Sequence, residues 1–253
     1  PVIWCARILT VLTFLSWLVL PNKVLRILCG TITMVLLVIS AVTISANIYG
    51  HWGMKKTTTT TAAKEIYSAG DSSSPANMLI TQELGTKSDD YVLVYRDNKD
   101  AKEAKAHGTP DEKNITESVK KTVAYKTADV DTASVKTEKT YWKWKNDTFK
   151  FFFNLGDNNN ELISQKTTVT VPKDTWAVLT ADQAKELAKQ QKANPVPAAQ
   201  QQQQQQQMKE AVTAAVGAYM QQNPTATQAD IQKFTQKETA KIAVTSINSM
   251  LKK

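Results

Sequence analysis

The chain has 253 residues and a formal charge of +8, from 31 Lys and Arg against 23 Asp and Glu. Only Arg7, Lys23 and Arg26 of those cations precede residue 50, no acidic residue does, and both cysteines, Cys5 and Cys29, lie in the same apolar stretch. The remainder can form no disulfide and has no thiol nucleophile or cysteine-based metal site; with Arg96 as its single arginine, it has little means of gripping phosphates bidentately, which argues against nucleic acid.

Two apolar runs open the chain, at residues 8–20 and 27–48. The second carries no charge, and at roughly 1.5 Å per residue it covers a hydrocarbon core of about 30 Å. Arg7 interrupts the first, leaving a stretch with the length of a signal-peptide core. No small-x-small cleavage pattern precedes the second run, and Pro21-Asn22-Lys23 joins the two directly. The expectation is a helical hairpin with spans at about 2–20 and 24–48, Arg7 snorkelling to an interface or facing the partner helix. Lys23 and Arg26 in the turn favour a cytoplasmic turn and external termini, whereas Lys55 and Lys56 argue for the reverse. A cysteine-free, Thr/Asn/Lys-rich remainder suits the outside, so the soluble part is expected to be extracellular.

Trp52, Lys55 and Lys56 follow the second run as a membrane-interface anchor, with the ring at headgroup depth and the ammoniums among phosphates. His51 beside them reads as a headgroup contact. His107 falls in a polar loop, and two isolated histidines make no metal site.

Residues 57–61 are all threonine and favour extended backbone; residues 69–75 read as a turn. Residues 91–96 read as a strand with Tyr91, Leu93 and Tyr95 on one face, 101–108 as a loop, and 119–125 as a further strand. In 140–153, Asn146-Asp147 occupies the place of a two-residue hairpin turn, pairing Trp144 with Phe149 and Trp142 with Phe151 on a core face. The same register sets Lys143 against Lys150, flanked by Lys145, on the opposite face. These three lysines are either a solvated face or a small anion-contact patch with Tyr141 and Phe152 nearby.

Residues 156–160 form a turn rather than a calcium loop, 164–171 alternate as a strand, and 176–179 end the strand region. Thr180 and Gln183 form a capping box opening a helix to about residue 192. Residues 194–197 read as a linker, and the polyglutamine run at 200–207 joins a helix or stays disordered. Met208, Ala211, Val212, Ala215, Val216, Tyr219 and Met220 make an amphipathic stripe, broken at Asn223-Pro224. Thr225 or Thr227 caps a last helix carrying Ile231, Phe234, Ile242, Ile247 and Leu251. The two stripes are expected to pack on each other or on the sheet, the alternative being that they bind a membrane or a partner. The expected fold is α+β: an N-terminal transmembrane helical hairpin (1–50), an antiparallel β-rich soluble domain (51–179), and C-terminal α-helices with a polyGln linker (180–253).

The paired apolar runs, Gly53-Met54-Lys55-Lys56, Ile66-Tyr67-Ser68-Ala69-Gly70, Tyr141-Trp142-Lys143-Trp144-Lys145-Asn146 and Val171-Pro172 together resemble a family of uncharacterised two-pass membrane proteins of lactic acid bacteria, classed as a domain of unknown function. The resemblance implies a Gram-positive plasma-membrane location and carries no activity, ligand or site residue. Residue chemistry points the same way: no nucleophile elbow, phosphate loop or metal-ligand spacing is present. The expectation is a non-enzymatic, cofactor-free cell-envelope protein, anchored in the lipid bilayer and presenting its β-rich domain for binding or scaffolding. Its partners would be anionic envelope polymers or another membrane protein. The alternative is an accessory subunit of a membrane transport or secretion complex, with Gly30, Ser40, Ala41, Ser45 and Ala46 allowing close helix contact.

Overall fold

The computed structural model describes residues 1–71, 74–85, 89–154, 159–193 and 198–251. Parts of two expected turns, at 72–73 and 156–158, and the expected linker at 194–197 lie outside the described residues. In chain order the elements are α1 (Val2–Leu18), α2 (Lys23–Gly50), β1 (Met54–Thr60), β2 (Lys64–Glu65), β3 (Asn77–Glu83), β4 (Tyr91–Tyr95), β5 (Lys105–His107), α3 (Ile115–Ser118), β6 (Lys121–Ala128), β7 (Ser134–Trp144), α4 (Asp147–Phe153), β8 (Glu161–Pro172), β9 (Trp176–Thr180), α5 (Ala181–Ala193), α6 (Ala198–Gln222) and α7 (Gln228–Leu251).

One sheet has the order β1-β7-β8-β6 with β2 also paired to β7; a second has the order β5-β4-β3-β9. The expectation of an antiparallel domain is corrected here. β3 pairs antiparallel with β4, and β4 with β5, but β3 pairs parallel with β9 and β6 parallel with β8. Parallel neighbours need long connections, which the stretches between β3 and β9 and between β6 and β8 supply. The α+β class stands, with a mixed β-rich middle. The chain divides into two compact units, Pro1–Thr59 with Lys139–Ser164, and Thr60–Glu138 with Gln165–Lys253.

In the first unit α2 begins on Asn22, whose side chain accepts from the amides of Val24 and Leu25, satisfying donors that the first helical turn leaves free. It ends where His51 turns left-handed at φ 52°, its amide donating to Asn47 O at 3.0 Å. Hydroxyls along both helices turn back onto their own backbone: Thr10, Thr13, Ser16, Thr33 and Ser40 each donate to the carbonyl four residues earlier. Such bonds leave these five hydroxyls independent of water. α1 packs along α2, and Gly30 makes room for Trp17, since a Cβ there would lie 2.6 Å from the indole nitrogen.

The expected hairpin at 140–153 does not form. β7 stops at Trp144, and Asn146 instead caps α4, its side chain accepting from the Phe149 amide at 3.0 Å. An Asn that bonds the amide three residues on starts a helix, and Phe149 and Phe153 then fall on one helical face instead of across from Trp144 and Trp142. The aromatic core survives by this different route. Val2, Met54, Trp144 and Phe153 are buried together, with Ile44, Trp142 and Phe149 against them.

In the second unit the alternation expected of β4 is present: Leu93 and Tyr95 are buried beside half-buried Val92 and Val94. With Ile66, Leu79, Val169, Val171 and Trp176 they form one core cluster. Residues 105–107, expected as loop, pair with β4 as β5. The Thr180–Gln183 capping box is formed in both directions, at 2.9 and 3.2 Å. Thr227 caps the last helix: its hydroxyl accepts from the Asp230 amide and donates to the Asp230 carboxylate. The bond from the Thr227 hydroxyl, with a second from the Thr227 amide, holds the Asp230 carboxyl below its usual range. Residues 200–207 join α6, the helical one of the two expected alternatives, and so are not a linker. Leu179 of β9, Leu187 of α5, and Ala243 and Val244 of α7 bury together, with Met208 of α6 against them. Tyr219 and Phe234 stack at 4.2 Å between α6 and α7. Thus the two stripes pack both on each other and on the sheet.

Tyr95 lies in the first of these clusters, stacked on the His107 ring at 3.9 Å. Burial, with a smaller contribution from Asp97, pushes its phenol up to about 12 from 10.0. Because the folded value is raised, this group's contribution to stability is complete below about pH 10 and is lost as pH rises through about 12. Tyr95→Phe should shift the alkaline unfolding midpoint upward, followed by circular dichroism. An unchanged midpoint would remove Tyr95 as a cause of alkaline sensitivity.

Candidate membrane-interface site

The first unit concentrates its aromatic and cationic side chains where α2 ends. Asn47, itself buried, donates through Nδ2 to Trp52 O at 2.8 Å and so ties the helix to the segment that follows. His51 and Gly53 take positive φ, turning the chain sharply enough to aim Trp52 sideways. The Trp52 ring meets Phe149 and Phe153 edge-on, at 5.0 and 5.5 Å, a favoured geometry for aromatic pairs. Gly53 lets the backbone approach Phe149 and accepts from the Lys145 amide at 3.0 Å.

His51 lies flat on Trp142, with ring centroids 4.3 Å apart, and its Nε2 is 3.5 Å from a Glu161 carboxylate oxygen. The Lys56 ammonium sits 5.4 Å from the Trp142 centroid, within cation–π range. The expected headgroup histidine is therefore held by an indole and a carboxylate of its own unit. The expected anchor residues Trp52, Lys55 and Lys56 are exposed, while one side of the Trp52 ring closes over the phenylalanines.

Lys143, Lys145 and Lys150 do not meet as a cross-strand set. Lys143 is half-buried on β7, Lys145 exposed in the connection, and Lys150 exposed on α4. Phe151, expected in the core opposite Trp142, is 63% exposed, and Phe152 is 37% exposed. The signal for this was the four-residue spacing of Phe149 and Phe153, which places Phe151 on the opposite side of a helix. Within residues 51–59 and 139–164 there are six lysines and three carboxylates.

Two of the open clefts of the second unit take in charged or aromatic residues described above. One, of about 650 Å³, is lined by Arg96, Lys99, Lys102, Asp71 and Asp100 among others. Arg96 serves the fold there: buried, it donates through Nε to Ser68 O at 2.7 Å. The other, of about 400 Å³, includes Tyr95 and His107. His107 Nε2 is 3.7 Å from Asp97. Among the described residues no group of three or more His, Cys, Asp or Glu side chains could hold a metal ion.

Residues 22–187 match the family described as a domain of unknown function, DUF4811. The match takes in α2, every strand of both sheets and half of α5. No curated protein and no solved structure matches the chain.

Proposed function

The chain belongs to the DUF4811 family, and from that premise we propose that it is a non-enzymatic, two-pass protein of the bacterial plasma membrane that presents a β-rich unit at the cell envelope for binding or scaffolding. One observation supports this above the others. α2 runs 28 residues and is the one helix among the described residues long and apolar enough to cross a membrane; Ile32, Val35, Val38, Ile39 and Val42 along it all face away from the protein. At about 1.5 Å per residue it is about 42 Å long, more than a hydrocarbon core needs. Exposing such a row of side chains to water would be costly; lipid removes the cost.

α1 is shorter, 17 residues, or about 26 Å. Packed on α2, it returns across the bilayer with local thinning and snorkelling of flanking residues accommodating the mismatch. Thr10, Thr13, Ser16, Thr33, Ser40 and Thr43 bond their hydroxyls to helix carbonyls, as suits a lipid solvent. Trp52, Lys55 and Lys56 mark the interface, and the extracellular side suits the cysteine-free remainder. Its partners there are anionic envelope polymers or another membrane protein.

The test is fractionation of cells expressing the full chain. It should stay with membranes through alkaline carbonate, enter detergent at its full length, and be trimmed by protease in intact protoplasts. A form lacking residues 1–50 should move to the aqueous fraction. Recovery of the full chain in the aqueous fraction, or of a product cleaved after α2, would dismiss the anchor. A second reading, an accessory subunit of a transport or secretion complex, is favoured by Ala41 and Ser45, which leave a small, exposed strip one helical turn long. Ala41→Leu with Ser45→Leu should then abolish co-purification of a membrane partner while leaving membrane insertion intact.

A further inference from the structure

We propose that α4 is a second membrane contact, in which Phe151 and Phe152 enter the boundary between headgroups and acyl chains while Lys143, Lys145 and Lys150 meet the phosphates of anionic lipids. This rests on the reading of α2 as a membrane span, and it adds a lipid class and a site to that reading.

Three observations carry it. First, α4 has two opposed apolar faces. Phe149 and Phe153 face the unit's core, whereas Phe151, roughly opposite Phe149 on the helix, is 63% exposed and, among the described residues, stacks edge-on only with its neighbour Phe152, at 5.3 Å. A second apolar face is more than solubility or packing of this short helix requires.

Second, α4 is fastened to the end of the apolar helix. Trp52, two residues beyond α2, touches both inward phenylalanines, and Ile44 of α2 packs against the cluster that holds Phe153. If α2 crosses a bilayer, α4 sits where the chain leaves it.

Third, the charge is suited to an anionic leaflet. Lys145 and Lys150 are exposed beside the phenylalanine pair in sequence, with Lys55 and Lys56 exposed at the start of β1. Asp147, Asp157 and Glu161 oppose them in charge, and Glu161 is engaged near His51. Juxtamembrane lysines of this kind are drawn to phosphatidylglycerol-type surfaces, and aromatic rings settle at headgroup depth.

The test uses the full chain, with Cys5→Ser and Cys29→Ser, reconstituted separately into phosphatidylcholine vesicles and into vesicles containing phosphatidylglycerol. A nitroxide is placed at Phe151→Cys or, as reference, at Val42→Cys on α2. Depth is read from the relative relaxation by oxygen and by a water-soluble nickel complex. The proposal expects the residue 42 label in hydrocarbon in both lipids. The residue 151 label should be at headgroup depth with phosphatidylglycerol and in water without it. Raising salt should return that label to water, as should Lys143→Gln, Lys145→Gln and Lys150→Gln together. The salt arm needs no substitution at the lysines and guards against a misfolded variant. A label at 151 that stays aqueous in both lipids while residue 42 is embedded overturns the α4 contact and leaves the membrane span standing. Equal depth in both lipids overturns the anionic preference. An aqueous label at residue 42 removes the span itself, and the inference with it.

Discussion

Replacing Gly53 with alanine is expected to disrupt the aromatic cluster beside α2 more than any other single methyl group added there. Gly53 has φ +87°, and a Cβ at this position would lie 2.4 Å from Cδ1 of Phe149. The backbone strain alone costs about 1–3 kcal/mol, and forcing the ring aside adds about 1–3 kcal/mol of overpacking. Phe149 cannot yield freely, because Trp52 meets it edge-on and Phe153 lies 6.3 Å away. The measurable result is a lower thermal midpoint in detergent, followed by tryptophan fluorescence. Repeating the substitution in a Phe149→Ala background separates the two contributions. There Gly53→Ala should cost only its backbone strain. Equal losses in both backgrounds would mean that the glycine does not yield space to that ring.

The second large effect belongs to the other unit. Leu93→Ala should destabilise it by about 2–5 kcal/mol, the usual range for a buried leucine left as a cavity. Leu93 has no exposed surface and lies on β4 opposite both Thr81 of β3 and His107 of β5. β4 itself is paired on both sides, by β3 and by β5, so it can close the void only by moving the ladder. Leu93→Met keeps most of the volume and should cost less than about 1.5 kcal/mol. Hydrogen exchange at β3 and β4 amides reads the loss locally. Protection in Leu93→Ala equal to that of the parent would mean that the cluster around Leu93 does not stabilise this sheet.

These two sites differ in how visible they were before any coordinates. The alternation of Tyr91, Leu93 and Tyr95 is a period-two pattern over a single strand, and it places Leu93 inside without knowledge of the partners. Gly53 carries no such mark, since its need for a positive φ and its distance to Phe149 arise from residues almost a hundred positions apart. The lysine set shows the same limit. Lys143 and Lys150 are opposed only if Asn146-Asp147 turns a hairpin; once Asn146 caps a helix, one lies on a strand and the other on a helix, and Phe151 moves from core to surface.

What local chemistry decided is the run of apolar residues in α2, the Asn22 start, the reciprocal bonds of Thr180 with Gln183 and of Thr227 with Asp230, and the stripes of the last two helices. Each depends on residues within a few positions of one another, so its energetics are written in a short window. The partners of β9 and β8, the choice between strand and helix after Trp144, and the meeting of Trp52 with Phe149 and Phe153 were decided by folding. A segment such as residues 147–153 has nearly balanced local preferences. Burying Phe149 and Phe153 against Trp144 and Met54 selects the helix, and that gain exists only when distant parts of the chain are brought together.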